Sequence, residues 1–575
     1  MRLTRIEIEN FKGIGKRQVI ELRPITLLFG PNSAGKSTIL QALHYVREIL
    51  ERQNPDPDQT IAGGLIDLGG FSALVHNHEL DRAISIKLVI NIGDEQGSDR
   101  LPINGGGYLK HPDFENLRLR YVVGENTELE DYAVVQEIGI GIDVKWSELI
   151  AGPYVSAVRI DTDGQPVAAI HSPPQAGRAY ITAFNFAHPL LQSIDESDES
   201  LIEEDAEALA LEPSDDEIGA DPFASPLGGE IWELSRDMAS DGSSELGSDF
   251  RVSIATEVGA LPDLNRPLHC ELRDPEVGKF ELEGNTPRVR GLAALLDELM
   301  LGPVRIARDF LSTMTYIGPL REIPTRGFRP RLSPDESRWA QGLAAWDLLY
   351  TDTRGELFDA VNNWLSSESK LATNYRLEKA LFREIPIPSR ISALFERGLT
   401  EDDIGELQEL YEDLDSRTQI ALLDFAKGIL VAPSDVGVGI SQMIPVIVGC
   451  LSGRIGLLAV EQPELHIHPA IQVAMGDLLI DAVHDGEGEP SSRKSLLIET
   501  HSEHIMLRLL RRIRETSEAE LPPGAPSLTT DALSVIYAES DDGSVKFIPL
   551  RVASDGDFLD RWPRGFFEER SEELF

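Results

Sequence analysis

The chain has 575 residues, too many for a single hydrophobic core, and with 41% hydrophobic residues it can bury more than one. Its formal net charge of -44 excludes a broadly basic surface that coats nucleic acid, although it leaves room for one local basic groove. Only two cysteines, Cys270 and Cys450, exclude a disulfide framework and fit a reducing compartment. The opening MRLTRIEIENFKG lacks the apolar core of a signal peptide, and no apolar run reaches membrane-spanning length. The expected location is cytoplasmic, with no membrane partner.

In chain order, LTRIEIENF alternates as a strand, RQVIEL reads as a second, and PITLLF as a short strand buried on both faces. A helix is expected from about Gly35 to Leu50. AISIKLVINI returns to strand. From about residue 115 to 185 the stretches NLRLRYVV, VVQEIGIGIDV and SAVRIDTDGQPVAAI alternate as antiparallel β structure does. Between Gln192 and Asp249 the only basic side chain is Arg236 among many Asp and Glu, which reads as a disordered, solvated insertion or as an acidic mimic of a nucleic-acid backbone. From about 288 to 430 the pattern is mainly helical, in GLAALLDELM, AAWDLLYT, ELFDAVNNWL and IALLDFAKGI. Strand and helix then alternate through IGLLAV, AIQVAMGDLLIDAV, SLLIET, HIMLRLLRRIRE, LSVIYAE and VKFIPL. There is no internal repeat and no sustained heptad.

Between PITLLF and the first helix lies GPNSAGKST. Gly30, Gly35, Lys36 and Ser37 fill the fixed places of G-x-x-x-x-G-K-[ST], with Pro31, Asn32, Ser33 and Ala34 between them and Thr38 following. Such glycines let backbone N–H groups face a phosphate, the lysine reaches the β- and γ-phosphates, and the serine hydroxyl faces Mg²⁺. The strand before and the helix after are the context this motif requires. A phosphate loop needs a carboxylate for the metal at the end of a neighbouring buried strand. Leu457 to Val460 followed by Glu461 supplies it, with Gln462 and Glu464 close behind in EQPE. A second apolar strand ends in Thr500, His501 and Ser502, where an imidazole can meet the γ-phosphate or the attacking water. In DVGVGISQMIPVIVGCL, Gly437 and Gly439 precede Ser441 and Gln442 at the start of an apolar helix. That start is either an ordinary glycine-softened cap or an anion-facing end that meets the nucleotide of a second subunit. HIH at 466–468 and NHE at 77–79 read as solvated or supporting histidines. RLLRRIR, with Arg508, Arg511, Arg512 and Arg514, is either the strongest local basic surface for DNA or a solvated helix face.

The order IENFKGI, GPNSAGKS, a long insertion, VGVGISQ, LLAVEQPELHIHP and IETHSEH resembles the ATP-binding-cassette ATPases of the structural-maintenance-of-chromosomes, RecF and overcoming-lysogenization-defect group. YIGPLREIP at 316–324 and the ending FIPLRVASDGDFLDRWPRGFFEERSEELF are similar to pieces of a bacterial subfamily of this group. The resemblance implies an α/β P-loop head assembled from both chain ends, with a β-rich and helical central insertion, pairing head to head around two ATP molecules. It assigns Gly30 to Thr38 to the phosphate loop, Gly439, Ser441 and Gln442 to the signature motif, Ser37 and Glu461 to magnesium, and His501 to the switch histidine. It also places Lys12 near the nucleotide. Relatives carry a second carboxylate as general base where this chain has Gln462, so hydrolysis is expected to be slow or to use Glu464. LGGFSALVHN occupies the place of the glutamine loop that senses magnesium in relatives. Too few residues follow His501 for the nuclease domain of the lysogenization-defect family.

These readings divide the chain into the first part of an ATPase head (1–95), a β-rich segment (96–190), an acidic insertion (191–250), a mainly helical middle (251–430), the second part of the head (431–550) and a tail (551–575). The expected protein is an ATP- and Mg²⁺-dependent dimeric ATPase switch, serving bacterial antiviral defence or DNA maintenance with an effector protein, DNA being a further candidate partner. The alternatives are a barely hydrolysing ATP-dependent scaffold that sequesters an effector and, behind it, a nuclease with a metal cluster in its central segment.

Overall fold

The structure, a computed structural model, describes residues 1–58, 66–92, 135–174, 179–186, 188, 252–256, 259–268, 287–332, 337–414, 416–484, 494–541 and 543–562. The acidic stretch, the strand expected at NLRLRYVV and the last thirteen residues lie outside them.

The chain opens with β1 (Arg2–Glu9), β2 (Gln18–Glu21), β3 (Ile25–Phe29) and helix α1 (Thr38–Arg52). There follow β4 (Ile84–Asn91), β5 (Glu137–Ser147), β6 (Gly152–Thr162), β7 (Gln165–His171), β8 (Ala179–Thr182) and β9 (Val252–Ile254). Next come α2 (Pro287–Ser312), β10 (Thr315–Ile317), α3 (Leu343–Thr351), α4 (Glu356–Ser366), β11 (Tyr375–Arg383), β12 (Ser416–Asp424) and β13 (Ile429–Val431). The final run is α5 (Val438–Leu451), β14 (Gly456–Glu461), α6 (Pro469–Val483), β15 (Lys494–Glu499), α7 (Glu503–Ser517), β16 (Leu533–Asp541) and β17 (Ser544–Leu550).

The described residues form three sheets. An eight-stranded antiparallel sheet runs β2-β1-β4-β5-β6-β7-β8-β9. The β-rich segment is thus continuous with the first strands of the chain, because β4 pairs along its length with both β1 and β5. A six-stranded sheet runs β10-β14-β15-β3-β16-β17, parallel except for β17. In it β3, from the N-terminal end of the chain, lies between β15 and β16 from the C-terminal end. The third sheet, β11-β12-β13, corrects the helical reading of IALLDFAKGI. A short apolar run has no decisive period. Here pairing with β11, Leu422 opposite Leu377, buries Ile420 and Leu422, and Gly428 turns the chain back into β13.

Alternation along β3 explains why both ends of the chain are needed. Leu28 faces a core shared with α1, α2 and the antiparallel sheet, whereas Ile25, Leu27 and Phe29 face a second core formed by α3 to α7. Buried Arg47 on α1 donates to the carbonyls of Ser312 and Met314, tying α1 to the end of α2. At the far end of α5 the Lys494 ammonium donates to the carbonyls of Gly449, Cys450 and Ser452 at 3.3, 2.9 and 2.7 Å, so a side chain of β15 closes that helix.

One buried histidine makes the antiparallel domain sensitive to acid. His188 sits beside the Thr162 hydroxyl, Nε2 to Oγ1 3.1 Å, and burial pulls its imidazole down to about 4. The folded pKa lies below the unfolded value of about 6.5, so its contribution is present above pH ~6.5 and lost as pH falls towards 4, a total of about 3 kcal/mol. Urea unfolding of wild type between pH 7 and 4.5 should therefore lose more stability than that of His188→Gln. Parallel pH slopes in the two proteins would contradict this role for His188.

Candidate nucleotide site

The parallel strands β14, β15 and β3 all end at the same edge of the sheet, where open α/β sheets bind ligands. Residues 30 to 37 leave that edge directly from β3. Gly30 has a φ of 145°, and a Cβ there would lie 2.4 Å from the Ala538 carbonyl oxygen of β16. Only glycine lets the chain turn off the strand against that neighbour. Pro31, Asn32 and Ser33 form the exposed rim, Ala34 is buried, and Thr38 starts α1, whose N-terminal amides face the loop. The helix begins three residues later than the sequence predicts, because residues 35 to 37 belong to the loop.

The Lys36 side chain is 4% exposed and folds back over the loop, donating to the carbonyls of Gly30 and Pro31 at 3.1 and 2.9 Å. Burial lowers its pKa; Glu499, Glu464 and Glu461 oppose that shift. Ser37 donates its hydroxyl to Glu499 Oε2 at 2.6 Å, and Glu499 Oε1 lies 3.9 Å from the Lys36 ammonium. Glu499 is itself buried, at the last position of β15 and directly opposite Glu461 on β14. Sequence reasoning missed it: in SLLIET it reads as the polar end of an apolar strand, and its place beside the phosphate loop depends on the strand order.

Glu461 accepts a hydrogen bond from the Tyr316 hydroxyl at 2.9 Å, and burial, with Glu499 alongside, pushes its carboxyl up to about 7. Glu464 accepts from the Thr500 hydroxyl and the His501 amide, both at 2.7 Å. It is thereby engaged at both oxygens and fixes the turn that carries His501. Burial, then the charge of Lys36, lowers the His501 imidazole pKa, placing that ring within electrostatic reach of the phosphate loop. Gln462 stands at a φ of 44°, and its amide continues the ladder to the Glu499 carbonyl at 2.7 Å.

A second residue missed from the sequence holds this turn from below. Arg321, in GPLREIP, is 3% exposed and donates to the carbonyls of Glu461 and Gln462 at 2.6 and 3.1 Å and to that of Gln442 at 3.5 Å. Gln442 returns a bond to the Arg321 carbonyl at 3.3 Å. Burial pulls the guanidinium down to about 10, against the pull of Glu464, Tyr316 and Glu461. Gln442 therefore lies beneath the carboxylate turn in this chain.

The helix start at α5 departs from its expected presentation. α5 begins at Val438, so Ser441 falls within its first turns; its hydroxyl is fully buried and donates to the Pro433 carbonyl at 2.6 Å. The residues exposed at this end are Gly437 and Val438. Gly439 is packed so tightly that a Cβ would meet the His466 carbonyl oxygen at 2.2 Å, which fastens the start of α5 to the turn after β14. Lys12, at a φ of 48°, donates its amide to the Leu74 carbonyl, while burial lowers and Asp67 raises its ammonium pKa. Its loop reaches the phosphate loop through Val545, against which a Cβ on either Gly13 or Gly35 would collide.

The remaining candidates have structural partners. His468 caps α6 through Nδ1, and His78 Nδ1 lies 2.6 Å from the Ser72 carbonyl. Arg512 is buried in ion pairs with Asp477 and Glu515, Arg508 also meets Asp477, and Arg511 meets Glu515. RLLRRIR is therefore not a face of four available cations: Arg508 and Arg512 are held to Asp477 of α6, and Arg511 and Arg512 to Glu515 of α7 itself. Among the described residues no three His, Cys, Asp or Glu side chains converge to hold a metal on their own, and no helix is long and apolar enough to cross a membrane.

A loop of backbone amides at a helix start, a lysine, a serine hydroxyl and carboxylate oxygens form a donor set that fits a nucleoside triphosphate with Mg²⁺, which takes hard oxygen ligands and borrows several from phosphate. Two family models agree with this donor set. Residues 1–93 match the family described as "AAA ATPase domain", and residues 352–507 match that described as "AAA domain, putative AbiEii toxin, Type IV TA system". No curated protein matches the chain. Similar solved structures include the SMC head domain from Thermotoga maritima, 10% identical over 96% of this chain and all of that one, TM-score 0.33. The Smc head domain with an extended coiled coil bound to the C-terminal domain of ScpA, derived from Pyrococcus furiosus, is 11% identical over 100% of this chain and 98% of that one, TM-score 0.34.

Proposed function

We propose that this chain, whose residues 1–93 and 352–507 match AAA-domain family models and whose motif order resembles that of the structural-maintenance-of-chromosomes and RecF-like ATPases, is a slowly hydrolysing, Mg²⁺-dependent ATPase switch that works as a head-to-head dimer with an effector protein. The observation that carries the proposal is the meeting of Lys36 and Ser37, from one end of the chain, with Glu461, Glu499 and His501 from the other, around one sheet edge.

In this reading Lys36 leaves the carbonyls of Gly30 and Pro31 for the β- and γ-phosphates, and Ser37 and Glu461 hold the metal, which when bound polarises the terminal phosphate. His501 faces the γ-phosphate on a turn that Glu464 holds still. Gln462 orients water but cannot accept its proton, and Glu464 is occupied by Thr500 and His501. Slow turnover follows, and the same observation favours a second reading, an ATP-dependent scaffold that holds its effector through long-lived nucleotide states. The toxin–antitoxin description of the second matched family supports a defence setting for either reading. Nothing in the ion-paired arginines of α7 supports DNA as the partner.

Steady-state phosphate release tests this assignment. Glu461→Gln should lower turnover by about a hundredfold or more, and Gln462→Glu should raise it about tenfold by restoring a proton acceptor. Unchanged turnover in Glu461→Gln would remove Glu461 from the site.

A further inference from the structure

Resting on the nucleotide reading above, we infer that Glu499 is a positioning residue for the metal: it orients the Ser37 hydroxyl so that this side chain presents a lone pair, and not its proton, to the cation. A serine hydroxyl has one proton and can serve a cation only through oxygen. In a phosphate loop with nothing to accept the proton, the hydroxyl turns freely, and the orientations that point hydrogen at the metal are wasted. Here the acceptor is built in. Glu499 Oε2 takes the Ser37 proton at 2.6 Å, and Glu499 is 4% exposed, so water does not compete for that bond.

The backbone makes the placement rigid. Glu499 is the last residue of a strand paired on both sides, opposite Glu461 on β14 and Leu28 on β3. The next residue, Thr500, donates its amide to the Leu28 carbonyl, and its hydroxyl is held by Glu464. The other oxygen of Glu499 faces the Lys36 ammonium at 3.9 Å. One carboxylate therefore addresses both side chains of the phosphate loop that meet the nucleotide and its metal. Lys36 swings to phosphate, while Ser37 keeps its bond to Glu499 and turns its free lone pairs to the metal. Partners that hold a metal's own ligands in this way commonly contribute ten- to a hundredfold to metal affinity.

The test separates the metal from the nucleotide. Titration calorimetry with ATP in excess Mg²⁺ and again in EDTA gives, for each protein, the ratio by which the metal tightens binding. In Glu499→Ala that ratio should fall by about tenfold relative to wild type, while metal-free ATP binds as well as before or better. Mn²⁺ binding to the ADP complex, followed by electron paramagnetic resonance, should weaken in parallel. A wild-type ratio in Glu499→Ala would overturn the inference. If that variant does not fold, Glu499→Leu, which keeps bulk but cannot accept the Ser37 proton, decides alone: a reduced ratio supports the role and an unchanged one overturns it. Failure of the nucleotide reading itself looks different, since wild type would then bind no ATP under either condition.

Discussion

Lys36→Ala should bind ATP·Mg²⁺ at least about a hundredfold more weakly than wild type, because two or more charge-assisted bonds to phosphate vanish, each contributing about 1.5–3 kcal/mol. The loop that remains still has its glycines and helix start, but these supply dipoles and no full charge. Removing the ammonium also takes a donor from the Gly30 and Pro31 carbonyls, of which Pro31 keeps the Ala34 amide, and leaves Glu499, Glu464 and Glu461 without the cation that offsets their charge. The folded state should survive this, since the Glu461 carboxyl, already pushed up to about 7, can keep its proton. Titration calorimetry, with circular dichroism to confirm folding, checks the result. Near-wild-type affinity in a folded Lys36→Ala protein would remove the nucleotide from this loop.

Arg321→Met should be the most damaging substitution away from the loop. One guanidinium nitrogen, Nη2, serves the Glu461 and Gln462 carbonyls and the other reaches that of Gln442, so loss of the side chain removes a buried cation's bonds to the turn and withdraws that charge from Glu464 and Glu461. Breaking such a buried charged contact costs about 3–5 kcal/mol. The melting temperature should fall accordingly, and turnover measured below the new midpoint should drop at least about tenfold as the carboxylate turn loses its support. Arg321→Lys should restore turnover only in part, because an ammonium can take over the Glu461 and Gln462 carbonyls that Nη2 serves but cannot also reach the Gln442 carbonyl that Nη1 meets. A lysine variant with wild-type melting and turnover would show that the second nitrogen does not help to hold the turn.

The legible parts of this protein were those carried by local spacing. GPNSAGKST declares its loop because the fixed distance between Gly30, Gly35 and Lys36 is a statement about one turn, and PITLLF declares β3 because a strand covered on both faces has no polar alternation. The end of β14 at Glu461 was legible for the same reason, as a carboxylate closing an apolar run. Glu499 and Arg321 were not. Glu499 matters only because β15 lies between β3 and β14, and no local pattern states the order of parallel strands. Arg321 acts on carbonyls about 140 positions away, and one arginine among several in a proline-rich stretch has no period to betray it. Ser441 shows the opposite failure. Its type and place suit an anion-facing helix start, yet α5 begins three residues earlier and turns the hydroxyl inward to Pro433. IALLDFAKGI was misread because four apolar residues in a row suit a helix face and a strand equally, and the hairpin partner that decides is far upstream.

The shared, dimeric site is the central claim, and the orientation of Ser441 changes which residue should test it. A substitution at Ser441 would enter a fully buried position and break the helix packing, whereas Val438, at the exposed start of α5, can carry an arginine without disturbing the core. Lys36→Ala and Val438→Arg should each be inactive alone. Mixed in equal amounts and allowed to exchange subunits, they form heterodimers in which one site carries both substitutions and the other carries neither, so ATPase activity should return to about a quarter of wild type for an isologous dimer. Wild-type turnover in Val438→Arg alone, or activity that stays at the sum of the two parents at every ratio once tags confirm exchange, would contradict a nucleotide site completed by the partner.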